Sequence, residues 1–247
     1  MNPLGLLLSA FVGLALGLLG GGGSILTLPI LMYAYGTGEK EAIATSLLVV
    51  GVTSATAVVS HARRGNVEWR AGLVFAGAGS VGAFLGGMLA ALVPGALLID
   101  GFLLMMVATS IAMLRGRREV DAPTPGDLPV AKILAQGLAV GLVSGLVGAG
   151  GGFLVVPALA LLGGLPMPRA VGTSLLVIAI QSTFGFLGHV THVSIDLAVA
   201  AQVIASAVLG SFLGATLAPK VPAAALRKGF GAFVMGMAVY MGVHQLV

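Results

Sequence analysis

From Leu4 onward the chain is a succession of apolar runs, most about 20 residues long, separated by short polar breaks. A run of about 20 apolar residues is long enough to cross the roughly 30 Å hydrocarbon core of a bilayer as a helix. Inside lipid the backbone has no water to bond, so only helices and closed barrels can span. A transmembrane barrel shows short segments of alternating polarity, and the runs here do not alternate. The fold class predicted is therefore an all-α integral membrane protein. Composition agrees, with 58% hydrophobic and 8% charged residues and a mean hydropathy of +1.10, against about 25% charged in soluble domains. The spans consume nearly all of the 247 residues, leaving no soluble catalytic domain. The chain contains no cysteine, which removes disulfides, thiolate chemistry and Cys-based metal sites. No enzyme activity, cofactor, metal or nucleic-acid partner is expected. The partners expected are the lipid bilayer and a small solute, with homo-oligomerisation left open. The start, "MNPLGLLLSA", carries no basic leader and is not read as a cleaved signal peptide.

Comparing the chain with itself reveals a duplication. Residues 17–29, "GLLGGGGSILTLP", align with 145–157, "GLVGAGGGFLVVP", at a shift of 128 (145 − 17). The same shift carries Thr45-Ser46-Leu47-Leu48-Val49 onto Thr173-Ser174-Leu175-Leu176-Val177, His61 onto His189, and "GAFLG" (82–86) onto "GSFLG" (210–214). Between the copies lies "RGRREVDAPTPGDLP", a charged, Pro- and Gly-containing stretch of the kind that connects elements. The chain thus divides into a first repeat (1–114), a linker (115–130) and a second repeat (131–247). In each repeat a glycine cluster splits an apolar segment into two arms, 4–19 and 24–35 or 132–147 and 153–163. Spans follow near 41–62, 69–92 and 95–114, and near 169–190, 195–218 and 222–245.

The basic residues set opposite orientations. Lys and Arg favour the cytoplasmic side in short loops. Arg63, Arg64 and Arg70 mark the first loop of repeat one as internal, and Arg115, Arg117 and Arg118 place the linker inside too. In repeat two the corresponding first loop, "THVSID", has no Lys or Arg, and the basic residues move to Lys220, Arg227 and Lys228. The repeats therefore prefer inverted topologies, with both termini outside. Inversion needs an odd number of crossings per repeat. The glycine-split segment then crosses an even number of times, as a re-entrant hairpin or as two short tilted helices. An arm of about 12 residues rises only about 18 Å, which favours the hairpin.

Gly-broken segments at matching positions of inverted repeats point to a transporter's midplane site. Helix N-termini that follow the breaks offer N–H groups and a positive dipole end, and glycine lets a ligand approach the backbone. Gly20, Gly21, Gly22, Gly23 and Ser24, with Gly148, Gly150, Gly151 and Gly152, are thus expected to form two halves of a small-anion cradle. Helix packing is the competing reading for membrane glycines, and it is the one assigned to Gly82 and Gly86. Thr45, Ser46, Thr173 and Ser174 are read either as hydroxyl donors to the anion or as groups bonded to their own or a neighbouring helix. Gln181 and Ser182, matching Thr53 and Ser54, lie two turns further along the same path. Pro29 and Pro157 are read as distortions of the second arms. His61 and His189 fall near span ends, where a histidine is first a solvated interfacial anchor and otherwise a proton relay. Asp100, Asp196 and Glu68 read as charges at span ends, so no buried carboxylate supports sodium or cation transport.

The two glycine segments, "ATSLLVV" and "GTSLLVI", and the duplicated halves together resemble the TauE/SafE family of sulfite exporters and related sulfonate permeases, over essentially the full length. The resemblance implies a small bacterial plasma-membrane carrier of sulfite, organosulfonates or other sulfur-containing anions. It implies binding positions at Gly20–Ser24, Thr45 and Ser46 and at Gly148–Gly152, Thr173 and Ser174. Gly21 is matched by Ala149, and Ser24 by Gly152, so the site is only pseudo-symmetric. Export by alternating access is the mode expected, with proton-coupled uptake and an anion channel using the same glycine site as the alternatives.

Overall fold

The structure is a computed structural model and describes residues 3–21, 23–115, 130–147, 152–159 and 165–246. Gly22, residues 148–151 (with Gly148, Gly150 and Gly151), most of the linker and residues 160–164 lie outside the described residues. The chain forms α1 (Pro3–Leu19), α2 (Ser24–Tyr35), α3 (Glu39–Ala62), α4 (Trp69–Ala90), α5 (Gly95–Arg115), α6 (Val130–Val147), α7 (Gly152–Pro157), α8 (Met167–Val190), α9 (Leu197–Leu217) and α10 (Ala223–Leu246). Among the described residues no strand occurs. Among the described residues, five segments are long and apolar enough to cross a membrane: Glu39–Ala62, Trp69–Ala90, Gly95–Ala112, Pro168–Val190 and Leu197–Lys220.

Local chemistry sets several helix ends. Glu39 and Glu41 occupy the first turn of α3, where negative charge meets the positive end of the helix dipole. Asp196 caps α9, its Oδ1 accepting from the amides of Ala198 (2.8 Å) and Val199 (3.1 Å). Glu68, before α4, accepts from Arg169 at 2.7 Å. Both side chains of that pair are well exposed, so it contributes less than about 1 kcal/mol. Asp100 departs from the expected span end: it sits in the second turn of α5, where it remains exposed.

α1 and α2 fold back on each other. Gly5 lies against Tyr35 at the open end, and Gly23 against Val12 and Leu16 at the tip. The two arms thus run antiparallel about the glycine break, the arrangement shared by a re-entrant hairpin and two short tilted helices. In the other copy the described part of the second arm is the short α7, followed by a π turn at 158–159.

The glycines also explain how the remaining helices associate. α1 and α9 run side by side in the same direction, with Gly13 on Ala207, Gly17 on Ser211, Gly210 on Ala10 and Gly214 on Leu14. α4 and α6 repeat this arrangement, with Gly82 on Leu138, Gly86 on Leu142, Gly141 on Gly79 and Gly145 on Ala83. At each contact a Cβ would overlap the facing carbonyl group. Helices in lipid gain little from hydrophobic contact with one another, and small residues that allow close backbone approach hold them together. Gly82 and Gly86 are thus packing residues, as expected. Substituting Gly141 by leucine drives a side chain into the Gly79 backbone. Overpacking of this kind costs about 3 kcal/mol and is expected to lower the thermal unfolding temperature in detergent by several degrees. Gly77→Ala on α4, where nothing beyond its own stretch of helix lies within 4 Å of the missing Cβ, should leave it unchanged.

α3 and α8, which the 128-residue shift superposes in sequence, cross in opposite directions. Gly51 faces Ser182, Leu47 faces Gly185, and the Cβ of His61 faces Gly172. α5 packs on α10, where Ser110 Oγ donates to the Gly231 carbonyl (2.5 Å). Two apolar clusters fill the interior. One is built on Ile25, Leu28, Ile43, Ile99 and Phe102, the other on Leu16, Val50, Phe75, Val155 and Ile178. Leu7, Leu104 and Leu209 point outward and stay exposed, as lipid-facing side chains do.

Candidate functional site

The two glycine breaks meet. A Cβ on Gly21 would overlap the carbonyl of Gly152, and one on Gly152 would lie 2.8 Å from Gly21 Cα and 2.8 Å from Ile178 Cδ1. Gly20, Gly21, Ser24 and Gly152 are all buried. Gly20 has φ +72°, a backbone conformation that glycine adopts without steric cost. A side chain there would also press on Val171 and Ser174.

Hydroxyl groups engage the carbonyls of the α1–α2 tip. Ser24 Oγ donates to Gly21 O (2.7 Å) and Thr27 Oγ1 to Gly23 O (3.3 Å). From the other repeat, Ser174 Oγ reaches Gly20 O at 3.0 Å while also lying 2.7 Å from Val171 O. The Ser174 proton is therefore shared between two backbone carbonyls. Of the two readings for these hydroxyls, bonding to a neighbouring helix accounts for the geometry at Ser174. Ser46 Oγ likewise donates within its own helix, to Ile43 O (2.8 Å). Thr173 Oγ1 accepts the Glu68 amide (2.9 Å), tying the start of α4 to α8, and Thr45 is buried beside Ser46.

One turn beyond Ile178, Gln181 is fully buried against the Gly79 backbone, and its Nε2 and Oε1 have no hydrogen-bond partner among the described residues. The same holds for Thr53 Oγ1 and Ser54 Oγ. An unmade hydrogen bond on a buried polar atom costs about 1–3 kcal/mol. Keeping these buried polar groups in α3 and α8 is thus a costly arrangement for packing alone.

The histidines correct the expectation of solvated anchors. His61 is 3% and His189 2% exposed. Each contacts a carbonyl of its own repeat's first helix, His61 Nε2 at Gly17 O (3.2 Å) and His189 Nε2 at Gly145 O (2.7 Å). Gly17 and Gly145 present bare backbone to the rings, so the span ends fold inward onto the glycine seams. His189→Ala removes the partner of a buried carbonyl, at a cost of about 1–3 kcal/mol. A matching fall in thermal stability in detergent is the expected result, with His61→Ala behaving alike.

An all-helical bundle with several apolar spans and paired broken helices defines a multi-pass membrane protein of the kind that moves solutes. Residues 5–241 match the family described as "Sulfite exporter TauE/SafE". The chain belongs to that family and is a membrane transporter. It is 37% identical over 236 residues to a "Probable membrane transporter protein" of Xylella fastidiosa (strain 9a5c), covering 93% of this chain and 90% of the relative. It is 28% identical over 229 residues to "Probable membrane transporter protein YdhB" of Bacillus subtilis (strain 168), covering 90% and 93%. It is 29% identical over 237 residues to "Probable membrane transporter protein MJ0441" of Methanocaldococcus jannaschii, covering 88% of each. No solved structure matches the chain at a significant level.

Proposed function

We propose that the protein exports a small sulfur-containing anion, sulfite or an organosulfonate, across the bacterial plasma membrane by alternating access between two inverted repeats. The observation that carries this reading is the meeting of Gly21 and Gly152, with the unpartnered buried amide of Gln181 one turn along α8 from the Ile178 that touches Gly152 and the hydroxyls of Thr53 and Ser54 buried in α3. The antiparallel crossing of α3 and α8 supports the inversion, as does the exchange of partners between α1–α9 and α4–α6. The basic loops orient the carrier with the linker in the cytoplasm and both termini outside.

In this reading the joined breaks close the path. Separation of the two tips frees backbone N–H groups for the anion, while Ser24, Thr27 and Ser174 hold the competing carbonyl dipoles. The positions Gly20–Ser24 and Gly148–Gly152 form the cradle, with Thr45, Ser46, Thr173 and Ser174 supporting it and Gln181 lining the path. Each end of the α3–α8 pair carries a buried histidine. In a proton-coupled uptake mode those imidazoles carry the proton, and an unchanged pH profile of transport in the His61→Ala/His189→Ala double variant removes that mode.

The test is flux in reconstituted vesicles, after a binding screen with sulfite, thiosulfate, sulfate, taurine and sulfoacetate. A carrier saturates and shows counterflow. Sustained current without counterflow would overturn alternating access in favour of a channel, and no movement of any sulfur anion would overturn the substrate class.

A further inference from the structure

Where α3 begins and α4 and α8 finish, a cavity of about 90 Å³ is lined by Lys40, Gly87, Ala91, His189, His192 and neighbouring small residues. A single water needs about 10–15 Å³ by the same measure, so the space is several times larger than one water requires. Its floor is rigid: a Cβ on Gly87 would lie 2.7 Å from Gly185 O and 3.0 Å from Gly188 Cα. Lys40 Nζ donates to Ala91 O at 3.1 Å, which leaves two of its three N–H groups for a further acceptor. The His189 ring is held by Gly145, and Lys40 and His192 are the titratable side chains near enough to act on it.

Nearby carboxylates are engaged elsewhere. Glu39 Oε2 lies beside Gly95, Glu41 Oε1 accepts the Asp196 amide at 3.2 Å, and Asp196 caps α9. The opposite end of the α3–α8 pair lacks this arrangement. There Arg64, three residues after His61, donates to the Ala215 carbonyl (2.5 Å). Ala215 stands where Gly87 does at the 128-residue shift, and Pro168 stands where Lys40 does. His192 is shorter than Arg64 and Gly87 smaller than Ala215, so space opens at one end, bordered by a lysine and two histidines.

We propose that this cavity binds an oxyanion group, separately from the glycine breaks. Lys40 supplies charge-assisted hydrogen bonds and His192 a ring N–H donor, and the close-packed Gly87–Gly188 floor limits the occupant to a small group such as sulfate or a phosphate. The proposal does not rest on the transport reading above.

Calorimetric titration of the purified protein with sulfate in a phosphate-free detergent tests it. The wild type is expected to bind, Lys40→Ala and His192→Ala to bind at least tenfold more weakly, and Lys40→Arg to recover most of the affinity. Thermal melts of the same samples check that each variant is folded. Addition of phosphatidylglycerol separates the sources: displacement of sulfate assigns the site to a lipid phosphate, and undiminished binding to a free ion. Wild-type affinity in both alanine variants overturns the site, as does absence of sulfate binding by the wild type. Affinity lost in Gln181→Leu but kept in Lys40→Ala also overturns it, by moving the ion to the glycine breaks.

Discussion

Replacing Gly21 or Gly152 by leucine is expected to bring anion flux in reconstituted vesicles to background while the protein still inserts in the membrane. Each position faces backbone of the other segment, so the first side-chain carbon already collides. Neither residue belongs to the five described segments long and apolar enough to cross a membrane. A leucine there wedges the tips apart and fills the space a ligand would use. Overpacking typically costs about 1–3 kcal/mol, enough to distort a site locally without dispersing the bundle. Gly152→Ala, whose Cβ has its nearest contacts at 2.8 Å, should retain more flux than the leucine variant. Near-normal flux in both leucine variants would sink the role of the breaks.

A second large effect is expected at Gln181, and its two readouts should move in opposite directions. Leucine is close to glutamine in volume and removes two buried polar atoms without partners among the described residues. Replacing such groups by apolar ones is neutral or stabilising, so the unfolding temperature of Gln181→Leu should hold or rise. Transport should fall at least tenfold, because the interior of the bundle loses a buried donor and acceptor on α8. A variant that is less stable and still transports would make Gln181 a structural residue. Sites that conduct at the expense of stability are the familiar trade-off between function and packing.

Particular residues show how much the sequence disclosed. The helix limits followed from punctuation: Gly36-Thr37-Gly38 before α3, "RRGNVE" before α4 and "THVSID" before α9 break apolar runs where the helices end. The shift of 128 placed the two glycine clusters in correspondence, and their joining at Gly21 and Gly152 fits that correspondence. Helix partners were harder to read. A helix that is apolar all round has no stripe to identify its buried face, so nothing in α1 announced α9. Its glycine spacing, from Gly13 to Gly17, was the only signal, and it also fits α4. The histidines were misplaced for a related reason. Distance along a span locates a residue near a face, but it does not show that Gly17 and Gly145 offer bare carbonyls to the rings. Ser174 was legible as a hydroxyl near the break, yet its acceptor, Gly20, lies in the other repeat. Lys40 and His192 went unnoticed because the carboxylates beside them in sequence turn away in space.

The crossed pairing of first and fourth helices has a consequence for how the protein is made. α1 leaves the ribosome long before α9, and the Gly13 and Gly17 face enters the bilayer with its partner not yet translated. α4 waits in the same way for α6, with Gly82 and Gly86 open. The early helices therefore rest in lipid as a loosely associated set, and tight assembly begins only as later ones arrive. Two fragments divided within the linker and produced together would face the same task as the intact chain, each completing the seam the other cannot close.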